Sequence, residues 1–331
     1  MSTQAIEALP APASEAVATD SETAEATQEA AIRRLPWAGI ATGNANGDQL
    51  TSAEMLKRAG LDWEVGIRPL YRHLSDGTVV QSERLETYRM DDESVELGAV
   101  KSRYEVLQNK EAFAFGDSLV DDGTARWEEA GQQHNGSRVF MTMLLNDEFT
   151  VLGQEPFKTY LFLGLGHDGG RSVRGFVTPI RVWCTNQTPA VRANNLGSFT
   201  IQHTSSMQER LATAGDALRR TNEYQNILRE EAELLAATQV TDKKAKLLIA
   251  SLIPARRASR DKMIDGIMAN YASSPTVEGY RGTGWGLLNA TTEYFDHIKP
   301  QRTPNARFES ITFGEGAKVR NELASKLAHL N

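Results

Sequence analysis

Residues 138–145 read RVFMTMLL, residues 157–164 read FKTYLFLG and residues 171–177 read RSVRGFV. Runs of seven or eight residues rich in Val, Phe, Tyr, Thr and Leu have the length and side-chain types of β-strands. What separates them sets their pairing. Asp168-Gly169-Gly170 divides the second run from the third with residues that tolerate the backbone angles of a sharp reversal. Asn135-Gly136 precedes the first run. That dipeptide accepts two successive positive φ angles in a hairpin turn, which makes 126–133 a fourth strand candidate. Three adjacent antiparallel strands, and with 126–133 a fourth, are the nucleus of the fold.

Upstream, Asp76-Gly77 marks a turn before a strand at Val79 to Arg89, and Thr51 is placed to cap a short helix toward Arg58. Downstream, Thr178-Pro179 fits an N-cap followed by proline at the first helical position. This predicts a helix through Ile180, Trp183 and Cys184 and hence a β-β-β-α order, with Phe199 to His203 as a further short strand. From residue 205 the pattern is helical. Ser206-Met207-Gln208-Glu209 is a capping box opening a long helix to about Ala237, and Thr241 caps a second helix that Pro254 ends. Ile264, Ile267, Met268 and Tyr271 mark a third, with further helices at 283–298 and 317–330. The expected fold class is α+β, an antiparallel sheet of hairpins followed by a helical C-terminal half. Three regions follow: 1–32, 33–204 and 205–331.

The chain has 331 residues and a formal net charge of −7, from 43 acidic residues against 36 Lys and Arg. Residues 1–32 hold Glu7, Glu15, Asp20, Glu22, Glu25 and Glu29 and no basic residue, so nearly all the excess charge lies there. With little large apolar surface to offset the entropy of ordering, this acidic tail is expected to be disordered. No run approaches the ~20 apolar residues of a membrane span, so the expectation is a cytoplasmic protein with no membrane association. Cys184 is the single cysteine, which excludes an intrachain disulfide and a thiolate metal cluster. No metal site and no cofactor motif is expected.

Between Gly169 and Gln208 there is no Asp or Glu, yet this strip holds Arg171, Arg174, Arg181, Arg192 and His203. A surface facing a polyanion explains such a strip; arginines that are solvated or paired with distant acids explain it equally well. Arg171 and Arg174, three apart on a strand, are expected on opposite faces. A second cluster comprises Lys243, Lys244 and Lys246, then Arg256, Arg257, Arg260 and Lys262. These either contact phosphates or complement helix ends.

Gly282-Thr283-Gly284-Trp285 and the following Asn289-Ala290-Thr291-Thr292-Glu293-Tyr294-Phe295-Asp296-His297 form a distinctive segment. Together with Val177 to Asn186, Ile201-Gln202-His203-Thr204, Trp37 and Phe313 to Lys318, it resembles the phage/plasmid-like family catalogued as domain of unknown function DUF932. The resemblance implies a gene of phage, prophage or plasmid origin and no defined activity. In the signature helix Trp285, Asn289, Glu293 and His297 recur every fourth residue and share a face. That stripe reads as a contact with a nucleotide or a neighbouring protomer, as a Glu293–His297 acid/base pair, or as a plain surface ion pair.

Three antiparallel strands followed by a helix, with arginines on the last strand, resemble the annealing core of single-strand annealing recombination proteins. The leading expectation is therefore a homo-oligomeric nucleic-acid-binding protein that takes single-stranded DNA. An interaction or assembly protein with no nucleic-acid role is the alternative, and a hydrolase using Glu293 and His297 the third. No Walker loop, nucleophile elbow or His-x-x-x-His spacing accompanies that pair.

Overall fold

A computed structural model describes residues 35–146, 148–153, 155–181, 186–187, 198–203, 221–254 and 258–330. The N-terminal 34 residues, Trp183, Cys184, Arg192, Arg256, Arg257 and the capping box at 206–209 lie outside the described residues.

The large sheet is antiparallel, in the order β1 (Ala41–Gly43), β5 (Ala125–Gln133), β6 (Arg138–Leu145), β8 (Glu155–Gly166), β9 (Val173–Arg181) and β10 (Ser198–Ile201). The short β7 (Phe149–Val151) pairs with β8. The α+β class and the hairpin order of β6, β8 and β9 are as the sequence predicts. The β5–β6 loop is wider than a two-residue turn: His134, Asn135 and Gly136 all have positive φ, at 49°, 54° and 98°.

The predicted helix after Thr178 is corrected. Thr178 to Arg181 continue β9, paired in register with Tyr160 to Phe157 of β8. The Arg181 amide then donates to the Asn186 carbonyl, and Ile180 bridges Gln187, so the chain doubles back. Thr178-Pro179 carries a helix-start signal, but ladder pairing with β8 outweighs it. Pro179 is tolerated because β10 pairs only with Val173 to Phe176, which leaves this end of β9 at the sheet margin. Among the described residues, the element that follows β9 is β10.

Both faces of the large sheet are covered, which is why β6 is an unbroken apolar run instead of an alternating one. Val139, Met141, Met143, Leu161, Leu163 and Val177 point to one face and join the main core. That face is packed by α1 (Ser52–Arg58), α2 (Asn109–Ala114), α3 (Asp117–Asp121) and the C-terminal helices α4 (Thr221–Ala237) and α7 (Gly284–Glu293). Phe140, Leu144, Tyr160, Phe162 and Ile180 point to the other face, beneath Trp37 and Phe308. Phe308 comes from α8 (Pro304–Thr312). Arg307 donates to the carbonyls of Leu35 and Pro36, fixing the incoming chain against this helix. The remaining helices among the described residues are α5 (Asp242–Leu252), α6 (Arg260–Ser273) and α9 (Glu315–Ala328). Among the described residues no helix is long and apolar enough to cross a membrane.

A second sheet, β2 (Val65–His73), β3 (Val79–Arg89) and β4 (Glu96–Lys101), docks on the tip of the β8–β9 hairpin. Only β3 is evident in the sequence. The contact is close: a Cβ on Gly98 would lie 2.6 Å from the Asp168 Cα. Thr87 Oγ1 donates to the His167 carbonyl at 2.7 Å. Gly169 turns the hairpin at φ +69°, packed beside Val100.

Candidate functional site

Docking of the small sheet leaves a groove of about 580 Å³ between β4 and the hairpin tip. Arg84, Lys101 and Arg103 line it from the small-sheet side, and Arg171 from the hairpin. Arg84, Lys101 and Arg103 are exposed. None of the three has an ion-pair partner among the described residues. The one carboxylate in the lining, Asp168, is bound by Arg138 at 3.2 Å. Tyr104 and His203 also line the groove, their rings stacked at 4.8 Å and 21°. Burial holds the His203 pKa below the usual imidazole value, so the stacked ring is neutral at neutral pH. The groove thus pairs cationic walls with an aromatic stack.

Arg171 continues this chemistry onto the second face of the large sheet. It lines both the groove and a narrow depression shared with Arg138, Arg174, Phe140, Phe162, Phe308, Glu309 and Phe313. Arg138 and Arg171 both bind Glu309, each at 3.0 Å, and Arg171 lies over the Phe313 ring at 5.3 Å. The expectation that Arg171 and Arg174 face opposite ways is corrected. β9 begins at Val173, so Arg171 precedes the strand and strand alternation does not apply to it. The two line the same depression.

Of the other residues singled out by the sequence, Arg181 is turned inward, its side chain 7% exposed and paired with Glu155. It also donates to Asn289 Oδ1 and the Thr276 carbonyl. Trp285 Nε1 donates to the second Glu155 oxygen at 3.1 Å. Glu293 accepts from Ser274 and Thr276 hydroxyls at 2.7 and 2.6 Å. The signature stripe of Trp285, Asn289 and Glu293 is therefore a buried hub joining helix to sheet, and the readings that place it on a surface are corrected. His297 sits half-buried in a π-helical turn, Tyr294–Ile298, whose wider spacing carries it off the four-residue register. Arg260 donates to the Ile253 and Ala250 carbonyls, neutralising the C-terminal end of α5.

Below the hub, Asp296 is fully buried beside Arg320 at 3.4 Å. Burial pushes its pKa up to about 6, against the opposing charge of Arg320. His167, also fully buried, has its pKa pushed down to about 3 by burial. Its Nε2 meets Asn109 Oδ1 at 2.9 Å, while Asn109 Nδ2 donates to the Leu61 carbonyl. The Asn109 oxygen must then accept, which fixes His167 as the neutral Nε2–H tautomer.

Sequence reasoning missed Arg84, Lys101, Arg103 and Arg138. They come from three separate segments, and no local pattern signals their convergence; only the Lys101-Ser102-Arg103 step after Gly98 carries a trace of it. Neither the curated proteins nor the solved structures contain a match to this chain. The family description "domain of unknown function (DUF932)" matches residues 96–312, a span that takes in β4, the hairpin tip and the buried hub, and the chain belongs to that family.

Proposed function

We propose that the protein binds a single-stranded nucleic acid along the track that runs from the sheet-junction groove across Arg171 to Arg174. The observation that carries this reading is the charge of the track. Six cations, Arg84, Lys101, Arg103, Arg138, Arg171 and Arg174, line it against two carboxylates, Asp168 and Glu309. This stands out in a chain whose net charge is −7. A polyanion gains from such a track by releasing condensed counterions, and arginine forks match phosphate oxygens. A neutral stacked pair, Tyr104 and His203, adds an aromatic surface of the kind that single strands use. The irregular path, bent around a hairpin tip, suits a flexible strand better than a straight duplex. A cytoplasmic role in the DNA metabolism of a mobile element, such as strand protection or annealing by a homo-oligomer, belongs to the same proposal.

The test is a titration of fluorescent single-stranded and double-stranded oligonucleotides at several salt concentrations. The reading expects preference for the single strand and a log–log salt slope of about −0.7 per phosphate contact. Absence of salt-dependent binding at micromolar protein overturns it.

A further inference from the structure

Where the basic track ends at Arg174, a depression of about 220 Å³ opens at the margin formed by β9, β10 and the end of α8. We infer that it is a pocket for one nucleobase of the bound strand, an inference that rests on the nucleic-acid reading and adds to it a subsite for bases. Three observations support it.

First, the depression continues the track. Arg174 and Phe313 line both it and the depression that holds Arg171. A strand whose phosphates follow the arginines brings a base to this point.

Second, the walls suit a flat ring. Phe176 and Phe313 stand nearly perpendicular, ring centroids 6.0 Å apart at 85°, so one ring can stack on a base while the other meets its edge. Both are half-buried. Ser198 and Thr200 lie directly opposite Phe176 and Arg174 in the strand register, so all four side chains share this face.

Third, the pocket holds polar atoms without partners. Arg174 Nε and Thr312 Oγ1 are shielded from solvent and have no hydrogen-bond partner. A buried polar group left unpaired costs free energy, which a ligand with matching heteroatoms recovers. Small rotations of these two side chains present a donor and a hydroxyl to a base edge. The ring nitrogens and carbonyls of a nucleobase supply that complement, and an aliphatic group does not.

The experiment uses the full chain and three oligonucleotides of one length: all bases present, all sites abasic, and abasic with a single central base restored. Wild-type protein is expected to bind the all-abasic strand with a retained salt slope but weakened affinity. Restoring one base is expected to recover about five- to hundredfold, the range of one base stacked on an aromatic ring. Phe176→Leu, which keeps apolar bulk but removes a ring that lines this depression and neither of the arginine-lined ones, should abolish that recovery while leaving the salt slope intact. Thr312→Val, close to isosteric, should reduce it and change which base recovers best. Equal wild-type affinity for abasic and base-bearing strands overturns the pocket and leaves the phosphate track standing. Recovery undiminished in both variants also overturns it, by placing the stacking elsewhere. Failure of every strand to bind removes the nucleic-acid reading, and the pocket with it.

Discussion

Glu155 and Arg181 form an ion pair inside the protein, their side chains 4% and 7% exposed, with Trp285 donating to the second Glu155 oxygen and Asn289 accepting from Arg181 on the helix side. Burial pushes the Glu155 carboxyl above its usual range, and Arg181 pulls it back. A pair of this kind is costly to break from one side, because the survivor is left charged and dry. Arg181→Met should cost about 3–5 kcal/mol in chemical denaturation. The double variant Glu155→Gln/Arg181→Met should recover a large part of that loss. An Arg181→Met protein as stable as wild type would show that the pair does not hold helix to sheet.

The acid limb of the stability curve should report His167. Its folded pKa of about 3 lies below the ordinary 6.5. The unfolded chain therefore takes up a proton that the folded chain refuses. Stability from this group is complete above pH 6.5 and is lost as pH falls toward 3, at up to about 1.4 kcal/mol per pH unit. His167→Gln keeps a donor for Asn109 and should flatten the acid limb over that window; an unchanged slope would contradict a neutral buried ring.

Glu129 should act in the opposite direction. Burial, then the neighbouring charge of Glu128, pushes its pKa up to about 8 from an ordinary 4.5. Its contribution is present below pH 4.5 and is lost as pH rises through 8. Glu129→Gln should raise the melting temperature at pH 9 and change it little at pH 5, read by thermal scans at the two values.

The cationic walls predict graded losses. Arg84→Ala, Lys101→Ala and Arg103→Ala should each weaken single-strand binding about equally for all sequences and flatten the salt slope by about 0.7. Arg260→Ala should leave the slope unchanged, because that guanidinium is engaged by the carbonyls at the end of α5. An equal effect of Arg260→Ala would move the interface to the helical half.

Much of the strand layout is legible in the sequence. β3 and β6 occupy the ranges that composition and turn residues predict, and Thr51 caps α1 in a full capping box with Glu54. β2 and β4 are not legible. The run VGIRPLYRH contains a proline and two arginines, and ELGAVK is only six residues long, so neither carries an alternating pattern. The Thr178-Pro179 signal is sound locally but loses to ladder pairing, which sequence windows do not contain. For the site, Arg171 and Arg174 were within reach through the acid-free strip. The burial of Arg181 was not, since the acid that neutralises it is 26 residues away on another strand.

Removing residues 1–32 takes away six negative charges and no positive one. Single-strand affinity at low salt should rise in the shortened chain, and the difference should vanish as salt screens the long-range field. Equal affinities at low salt would show that these charges do not reach the track.

Gly98 gives the groove a fixed gauge. Its missing methyl is what lets β4 approach Asp168 at a distance no side chain allows. The two walls belong to different sheets, so this one clearance sets how far Arg84 and Lys101 stand from Arg171. A single added carbon at residue 98 would act as a shim, widening the spacing between charges while deleting none of them.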